Sequence, residues 1–473
     1  MRTSLVVLGG GPGGYAAAFL AADQGLDVIL VEAEQQLGGT CLLHGCIPSK
    51  SLLHLARVMG EVDQLADDWG VQYGSPQIDL ERSRNHQQEL IERLSGGLQQ
   101  LAKRRQVRVI QARGRFQDSH TLQLESSDET LADDRSLTFD HCILATGSRP
   151  VCPPALAIDS PRVMDSRTAL ELAEIPERLL VIGGGYIGLE LGTIYARLGS
   201  QVSVAELTAS LLPGVDRDLV KVLQRQLESL FTAPLMLETK VDAIQDAGST
   251  LEVSMTGPEG CFDQQVDRVL IAVGRAPASA DLGLENTQVG LDDRGFVVTD
   301  HHQRTADAAI LAVGDVSGEP MLAHHASFQA KIAVRALQGT ATEAATELVP
   351  AIVFTDPEIA WVGLTQTQAQ QQQRKVRPAV YPWAASGRAQ ALGRTDGLTR
   401  WLVDPETDLL VGCGIVGAGA GDLIAEAVLA IQRGCHVQDV AAVIHPHPTL
   451  SETLGGAAEV YLGTATEVYK PRR

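Results

Sequence analysis

The chain has no long apolar run, no basic excess and few cysteines for its length, and each absence removes a class of function. With a formal net charge of −20 at pH 7 over 473 residues, nucleic acid or an anionic membrane meets repulsion across most of the surface. Neither is an expected partner. Hydrophobic residues begin at Leu5 but stop at Gly9, which leaves neither a charged leader with a long apolar core nor a membrane-spanning stretch. The expected compartment is the cytoplasm. Seven cysteines are an odd set in a long chain, unlike a secreted disulfide framework; Cys142, Cys152, Cys261, Cys413 and Cys435 read as packing residues. A single functional disulfide fits better. No second cysteine pair at ligand spacing accompanies Cys41 and Cys46, so no metal is expected.

What is present is that cysteine pair in a glycine-rich setting, Gly38-Gly39-Thr40-Cys41-Leu42-Leu43-His44-Gly45-Cys46-Ile47-Pro48-Ser49-Lys50. Pro48 fits only the first turn of a helix, where its missing N–H is harmless, so a helix is predicted to start near Cys46. A helix N-terminus favours thiolate over thiol. From these residues alone, two small buried side chains, half of a zinc site and a thioredoxin-like pair all stay open.

The preceding residues narrow the setting. Ser4-Leu5-Val6-Val7-Leu8 reads as a buried parallel strand, followed by Gly9-Gly10-Gly11-Pro12-Gly13-Gly14, an alanine-rich helix through Ala22 and a second strand from Asp27 to Glu32. In this βαβ fingerprint Gly9 permits the tight turn, Gly11 lets the backbone approach a pyrophosphate, and Gly14 packs helix on strand. Glu32 is placed to hold a ribose diol. The unit returns 174 residues later, with Gly183, Gly185, Gly188 and Glu206 matching Gly9, Gly11, Gly14 and Glu32. The chain is expected to carry two nucleotide sites. An acid at Glu206 repels a 2′-phosphate and accepts from a free diol, which favours NAD over NADP at the second.

A length of 473 residues suggests about three domains of ~150 residues. Between the repeats, an amphipathic helix of mixed charge is predicted near Glu81 to Arg105, with a solvated face. Ile143 to Pro150 echoes Leu270 to Pro277, each a strand ending in a glycine turn and a proline, and each is expected to close its domain. A further strand, Ala309 to Val313, runs into Gly314-Asp315. From about Pro350 the pattern changes to strand-like runs at Ala351 to Phe354, Leu398 to Val403 and Leu409 to Val416, then a helix around Asp422 to Arg433. The expected fold class is α/β, with two Rossmann-like FAD/NAD(P)-binding domains and a C-terminal α+β domain. Gln366 to Gln373 reads as a polar surface helix.

Taken together, the Gly9 to Gly14 fingerprint, the Cys41/Cys46 pair, Ala145 to Pro150, Gly183 to Glu190, Gly314-Asp315, Phe354-Thr355-Asp356-Pro357-Glu358 and His445-Pro446-His447-Pro448-Thr449-Leu450-Ser451-Glu452 resemble the FAD-dependent pyridine nucleotide-disulfide oxidoreductases. Within these flavoprotein disulfide reductases the resemblance is strongest to the dihydrolipoyl dehydrogenase branch, and it covers nearly the whole chain. It implies an FAD-binding domain over 1–150, an NAD-binding domain over 151–277, a segment over 278–349 that returns to the FAD domain, and a dimerisation domain over 350–473. Cys41 is then the interchange thiol that meets substrate, and Cys46 the thiolate that contacts the flavin. Lys50 corresponds to the lysine near the flavin, Glu190 to its ion-pair partner, and Asp315 to the acid on the ribityl chain. Leu322, Ala323 and His324 start the helix near the flavin ring. By the same resemblance Gly39, Thr40, Gly114, Thr146, Gly147, Ser148, Gly274 and Met321 belong to the cofactor sites, and Tyr186 covers the flavin until a nicotinamide displaces it.

In the family the residue at His447 is the acid–base, oriented by the one at Glu452, and it reaches the disulfide of the other subunit. Histidine suits proton transfer near neutral pH, and a dithiol must lose a proton before its sulfur attacks. His445 has no comparable partner and reads as structural; Arg275 is either a nucleotide contact or a surface residue. Leu42-Leu43-His44-Gly45 departs from relatives, which commonly have asparagine and valine here, and His44 either alters thiolate stability or, the plainer expectation, faces solvent. The implied reaction is oxidation of protein-bound dihydrolipoamide with reduction of NAD⁺, serving a lipoyl-bearing E2 acyltransferase or a glycine-cleavage H protein as a homodimer. Glutathione and mercuric reductases share the cysteine and histidine–glutamate pairs. Glu206 opposes the first, and the second has a vicinal cysteine pair near its end, where this chain has Val468 to Arg473. A docking subunit that lost turnover is the remaining alternative, opposed by joint retention of Cys41, Cys46, Lys50, His447 and Glu452.

Overall fold

The computed structural model describes residues 1–125, 135–340 and 348–469. Its first layer grows from the segment Arg2–Leu8, whose Leu5, Val6 and Val7 are almost fully buried, as expected of a parallel strand covered on both faces. This strand pairs in parallel with Val28–Glu32 on one side and Ser136–Leu144 on the other. Ile310–Ala312 joins the far side of Ser136–Leu144, so a strand from well beyond the second repeat completes the first sheet. Arg113–Asp118 and Thr121–Glu125 extend it as an antiparallel hairpin.

The second repeat builds the same core 174 residues on. Arg178–Ile182 lies between Gln201–Ala205 and Arg268–Ile271, all parallel. Registers match as well: Leu8 pairs with Val31, and Ile182 pairs with Ala205. A three-stranded antiparallel ribbon over 240–266 packs beside this sheet. The two strand–glycine–proline echoes meet in space: Arg275–Pro277 pairs antiparallel with Ser148–Pro150, and together they form one ribbon between the two nucleotide-binding folds. Each follows the strand beside its own glycine loop, which is why the sequences resemble one another.

The last part is an antiparallel five-stranded sheet in the spatial order 351–353, 358–363, 410–417, 398–403, 377–382. Two wholly buried indoles pin the helix Glu452–Leu462 to it: Trp401 donates to the Leu454 carbonyl at 2.9 Å, and Trp383 donates to Thr399 Oγ1, which meets Thr453 Oγ1 at 2.8 Å. That fixes where Glu452 stands. Arg400, 2 % exposed, reaches from this sheet to Asp216 and Asp218 at the start of the helix Arg217–Leu230 and ties the sheet to the second repeat. No helix among the described residues is long and apolar enough to cross a membrane.

Candidate active site

The helix begins at Cys46, as Pro48 requires, and runs to Trp69; a separate short helix, Gly39–His44, carries Cys41. Gly45 alone links them, which turns the two sulfurs toward each other. They stand as a hydrogen-bonded dithiol with unequal roles. The pKa of Cys46 lies below the usual thiol value, first because Cys41 donates to it; burial opposes the shift, and the Lys50 ammonium and its own N–H at the helix start assist. Cys41 is pushed up, because its proton is held in that bond and its sulfur is largely buried.

Lys50 lies one turn further along the same helix. Its Nζ is 2.7 Å from Glu190 Oε2, which comes from the second-repeat helix Tyr186–Leu198, and 4.6 Å from the centre of the Phe354 ring. Glu190 Oε1 accepts from the Phe354 N–H at 3.0 Å. With its side chain only 4 % exposed, Glu190 gathers residues from all three parts of the chain. Pairing is what makes this burial tolerable. Phe354 lies in a motif the sequence singled out, but no residue type announces a backbone N–H contact.

The two glycine loops share one geometry. At φ +108° and +109°, Gly9 and Gly183 approach neighbouring carbonyls so closely that an added Cβ falls 2.3 Å from Ala145 O and 2.5 Å from Ala272 O. Gly14 and Gly188 pack against Gly9 and Gly183. Around Gly11 the nearest atom to an added Cβ is Gly39 Cα at 3.8 Å, and around Gly185 there is none within 4 Å. Gly11 and Gly185 are also the N-caps of helices and bring no side-chain hydrogen bond to the first N–H groups. Glu32 Oε2 accepts from Gly10 N at 2.5 Å and Glu206 Oε2 from Gly184 N at 2.6 Å, while each Oε1 accepts from a backbone N–H two residues on. Both carboxylates are thereby aimed along their loops, and burial raises the pKa of Glu32. Open cradles, helix starts and acids beyond them fit one dinucleotide in each loop.

Other candidates fall around the cysteines or beside the loops. Asp315 Oδ2 accepts from Ser148 Oγ at 2.5 Å, and Ser148 is gripped by Arg275 through Nε to Oγ at 2.8 Å and through a second N–H to its carbonyl at 2.7 Å. Arg275 is therefore a partner of Ser148 rather than a free surface residue. Gly147 and Gly274 turn the chain into the ribbon that holds this network, and Thr146 Oγ1 donates to Ala278 O at 2.8 Å. Tyr186, 39 % exposed, has its hydroxyl pushed up to about 12, by burial first, with Arg275, Glu190, Asp315 and Cys46 as the charges it senses. Leu322 caps the helix Ala323–Leu337 directly after Met321, and His324 Nε2 meets Pro350 O at 2.8 Å. Gln329 of that helix accepts from Gly314 N at 2.7 Å and positions the Asp315 turn, a contact without a sequence signal. Tyr15, on the helix after the first loop, lies within the field of both cysteines and was likewise not singled out. Thr40 is exposed beside Gly39, whose own added Cβ meets Gly11 Cα at 2.6 Å; Gly114 is explained by packing, an added Cβ meeting Leu8 at 2.8 Å.

His447 Nδ1 is 2.8 Å from Glu452 Oε1, and Glu452 Oε2 accepts from Thr449 N at 2.7 Å. The histidine side chain is 77 % exposed, and the groups acting most strongly on the two thiols do not include it. Its outward face is free for another molecule. Three expectations are corrected nearby. His445 does have a partner, Glu426, at 2.9 Å. His44 does not face solvent; it borders a cavity of about 500 Å³ with Glu34 at 3.6 Å and Arg167, because its short helix turns that ring away from the thiols. Cys152 and Cys261 are exposed, unlike the buried Cys142 and Cys413.

Among known proteins, the dihydrolipoyl dehydrogenase of Vibrio parahaemolyticus is 42% identical over 469 residues, covering 99% of this chain and 97% of that one. That of Haemophilus influenzae is equally similar. Of solved structures, LpdA from Mycobacterium tuberculosis superposes with a TM-score of 0.87 at 26% identity, covering 97% of this chain and 99% of its own. The HOCl-induced flavoprotein disulfide reductase RclA from Escherichia coli, as a Cu(II) complex, gives 0.86 at 27%, with the same coverage. Residues 3–330 match the model of the pyridine nucleotide-disulphide oxidoreductases and 349–458 the dimerisation domain of the same proteins. With both models matched in order over most of its length, the chain belongs to the pyridine nucleotide-disulphide oxidoreductase family.

Proposed function

We propose that this enzyme oxidises protein-bound dihydrolipoamide to the cyclic disulfide while reducing NAD⁺ to NADH, with FAD and NAD(H) as its cofactors. The carrying observation is the polarity of the thiol pair, with Cys46 as the low-pKa sulfur and Cys41 as its proton donor. In the oxidised enzyme a substrate thiolate attacks Cys41 Sγ, forming a mixed disulfide and expelling Cys46, the better leaving group because its pKa is the lower. The second substrate thiol then closes on the first and releases Cys41. The products are substrate disulfide, a Cys41 thiol and a Cys46 thiolate, the arrangement found in the reduced pair. FAD, when bound, supplies the two-electron acceptor between this dithiol and NAD⁺. Gly9, Gly11, Gly14, Glu32 and Asp315 are assigned to FAD, and Gly183, Gly185, Gly188 and Glu206 to NAD.

Lys50 and Glu190 hold a charge pair beside Cys46. His447, oriented by Glu452, takes the proton of the attacking substrate thiol, while that of the second thiol ends on Cys41, and the outward exposure of His447 suits action on the disulfide of a second copy. The domain limits 1–150, 151–277, 278–349 and 350–473 and a homodimer joined through the last are part of this reading. So are a lipoyl-bearing E2 acyltransferase or glycine-cleavage H protein as partner, and the cytoplasm as compartment. Names of relatives at about 40% identity support the substrate. The test is a paired assay. Dihydrolipoamide with NAD⁺ turns over and glutathione disulfide with NADPH does not; the reverse preference refutes the substrate assignment.

A further inference from the structure

Thr208 stands two residues beyond Glu206 and gives that acid more than the backbone contact already described. Its N–H donates to Glu206 Oε1 at 2.8 Å, and its hydroxyl donates to the same oxygen at 2.7 Å. A carboxylate oxygen accepts from about two directions, so Oε1 is fully engaged. Oε2 accepts from Gly184 N at 2.6 Å and keeps one direction open. The first repeat is built differently here. At the matching place, 174 residues earlier, Glu34 keeps the backbone bond to Glu32 Oε1 at 2.8 Å, but its carboxylate cannot donate and turns to Arg167 at 3.3 Å. The backbone under Thr208 is held independently of its side chain: the Thr239 N–H donates to the Glu206 carbonyl at 2.9 Å, and the Glu238 N–H to the Thr208 carbonyl at 3.0 Å. The Thr208 hydroxyl also has a second acceptor, the Ser210 carbonyl at 2.9 Å, and its one proton serves one of the two at a time.

We propose that Thr208 is a further specificity residue of the second dinucleotide site, holding Glu206 in place while the site is empty and releasing it to the ribose diol of NAD⁺. This deepens, and rests on, the reading of Glu206 as the acid that receives that diol. One ribose hydroxyl donates to the open side of Oε2. The other needs Oε1, which opens when the Thr208 proton turns to Ser210, so the exchange strands no donor or acceptor. Glu206 is thus aimed before the nucleotide arrives, and binding is spared the cost of ordering it. A 2′-phosphate can only accept, and it meets a carboxylate that the Thr208 grip keeps from swinging aside.

The test is dihydrolipoamide oxidation by the holoenzyme with NAD⁺ or NADP⁺, for Thr208→Val, Thr208→Ser and Glu206→Gln, alongside flavin reduction by dihydrolipoamide with no nucleotide present. Thr208→Val keeps the shape and the N–H but loses the hydroxyl. It should raise KM for NAD⁺ roughly threefold to tenfold, the worth of one hydrogen bond, with the loss in KM rather than kcat. The preference in kcat/KM for NAD⁺ over NADP⁺ should fall by at least that factor, and Thr208→Ser should restore both. A valine variant with an unchanged or lower KM overturns the inference, as does a serine variant no better than valine. Should the valine protein lose the nucleotide-free reaction through misfolding, Thr208→Ala is read in its place. Glu206→Gln separates this inference from the reading beneath it. A raised KM there with none in Thr208→Val overturns only the role of Thr208, whereas a wild-type KM and preference in Glu206→Gln overturn the diol assignment and this inference with it.

Discussion

The charge pair beside Cys46 offers two substitutions that both destabilise the fold yet move the thiol in opposite directions. In Lys50→Met the carboxylate of Glu190, 4 % exposed, is left unpaired; in Glu190→Gln the ammonium of Lys50, 29 % exposed, is left instead. Breaking a buried pair from one side costs ~3–5 kcal/mol, and partial hydration of the remaining group reduces that. The expected losses are therefore about 3 kcal/mol for Lys50→Met and about 2 kcal/mol for Glu190→Gln, or roughly 6 and 4 °C in thermal midpoint at ~2 °C per kcal/mol. Cys46 distinguishes them. Lys50 favours its thiolate and Glu190 opposes it, so the thiol midpoint should rise in Lys50→Met and fall in Glu190→Gln. The assay is the pH dependence of Cys46 alkylation by iodoacetamide in NADH-reduced protein that keeps Cys41, with the modified sulfur identified by peptide mass. Movement of both midpoints in the same direction would refute control of the thiolate by these two charges.

Cys46→Ser and Cys41→Ser should each reduce dihydrolipoamide oxidation at least ~10³-fold, since neither leaves a disulfide to attack. Gly9→Ala places a methyl 2.3 Å from a backbone carbonyl at a φ of +108°, so the purified protein should hold less than about a tenth of its flavin. Gly183→Ala makes the same clash at the second loop and should keep its flavin while losing reduction by NADH, as read by flavin absorbance. Arg400→Met strands Asp216 and Asp218, of which Asp216 is 4 % exposed, and should cost about 3–5 kcal/mol in urea unfolding, while Lys221→Met on the same helix should cost under ~0.5.

Much of the fold was legible because its signals are local. Buried parallel strands require unbroken apolar runs, tight strand-to-helix turns require glycine, and Pro48 can enter a helix only at its start, so these elements emerged near their true limits. The 174-residue repeat survives even in its hydrogen bonds, Gly10 to Glu32 and Gly184 to Glu206. Position relative to other segments carries no such signal. Arg275 belongs to Ser148 because two distant strands pair, and His445 has Glu426 because a helix nineteen residues away in sequence passes its ring. His44 illustrates the same limit: its spacing from Cys41 is plain, but the turn of a short helix sends its ring to Glu34 and Arg167.

Residue order alone thus specified two nucleotide loops and a cysteine pair at a helix start, because each depends on spacing along one backbone, whereas the His447–Glu452 pair came from the family resemblance and would otherwise read as a solvated proline-rich turn. Which sulfur keeps the proton, and which chains meet at Glu190, depended on groups brought together from 140 and 164 positions away. Electrostatic interaction follows distance in space. The lowered pKa of Cys46 is therefore a property of the packed helices, while its place at the first residue of one of them was already fixed by Pro48.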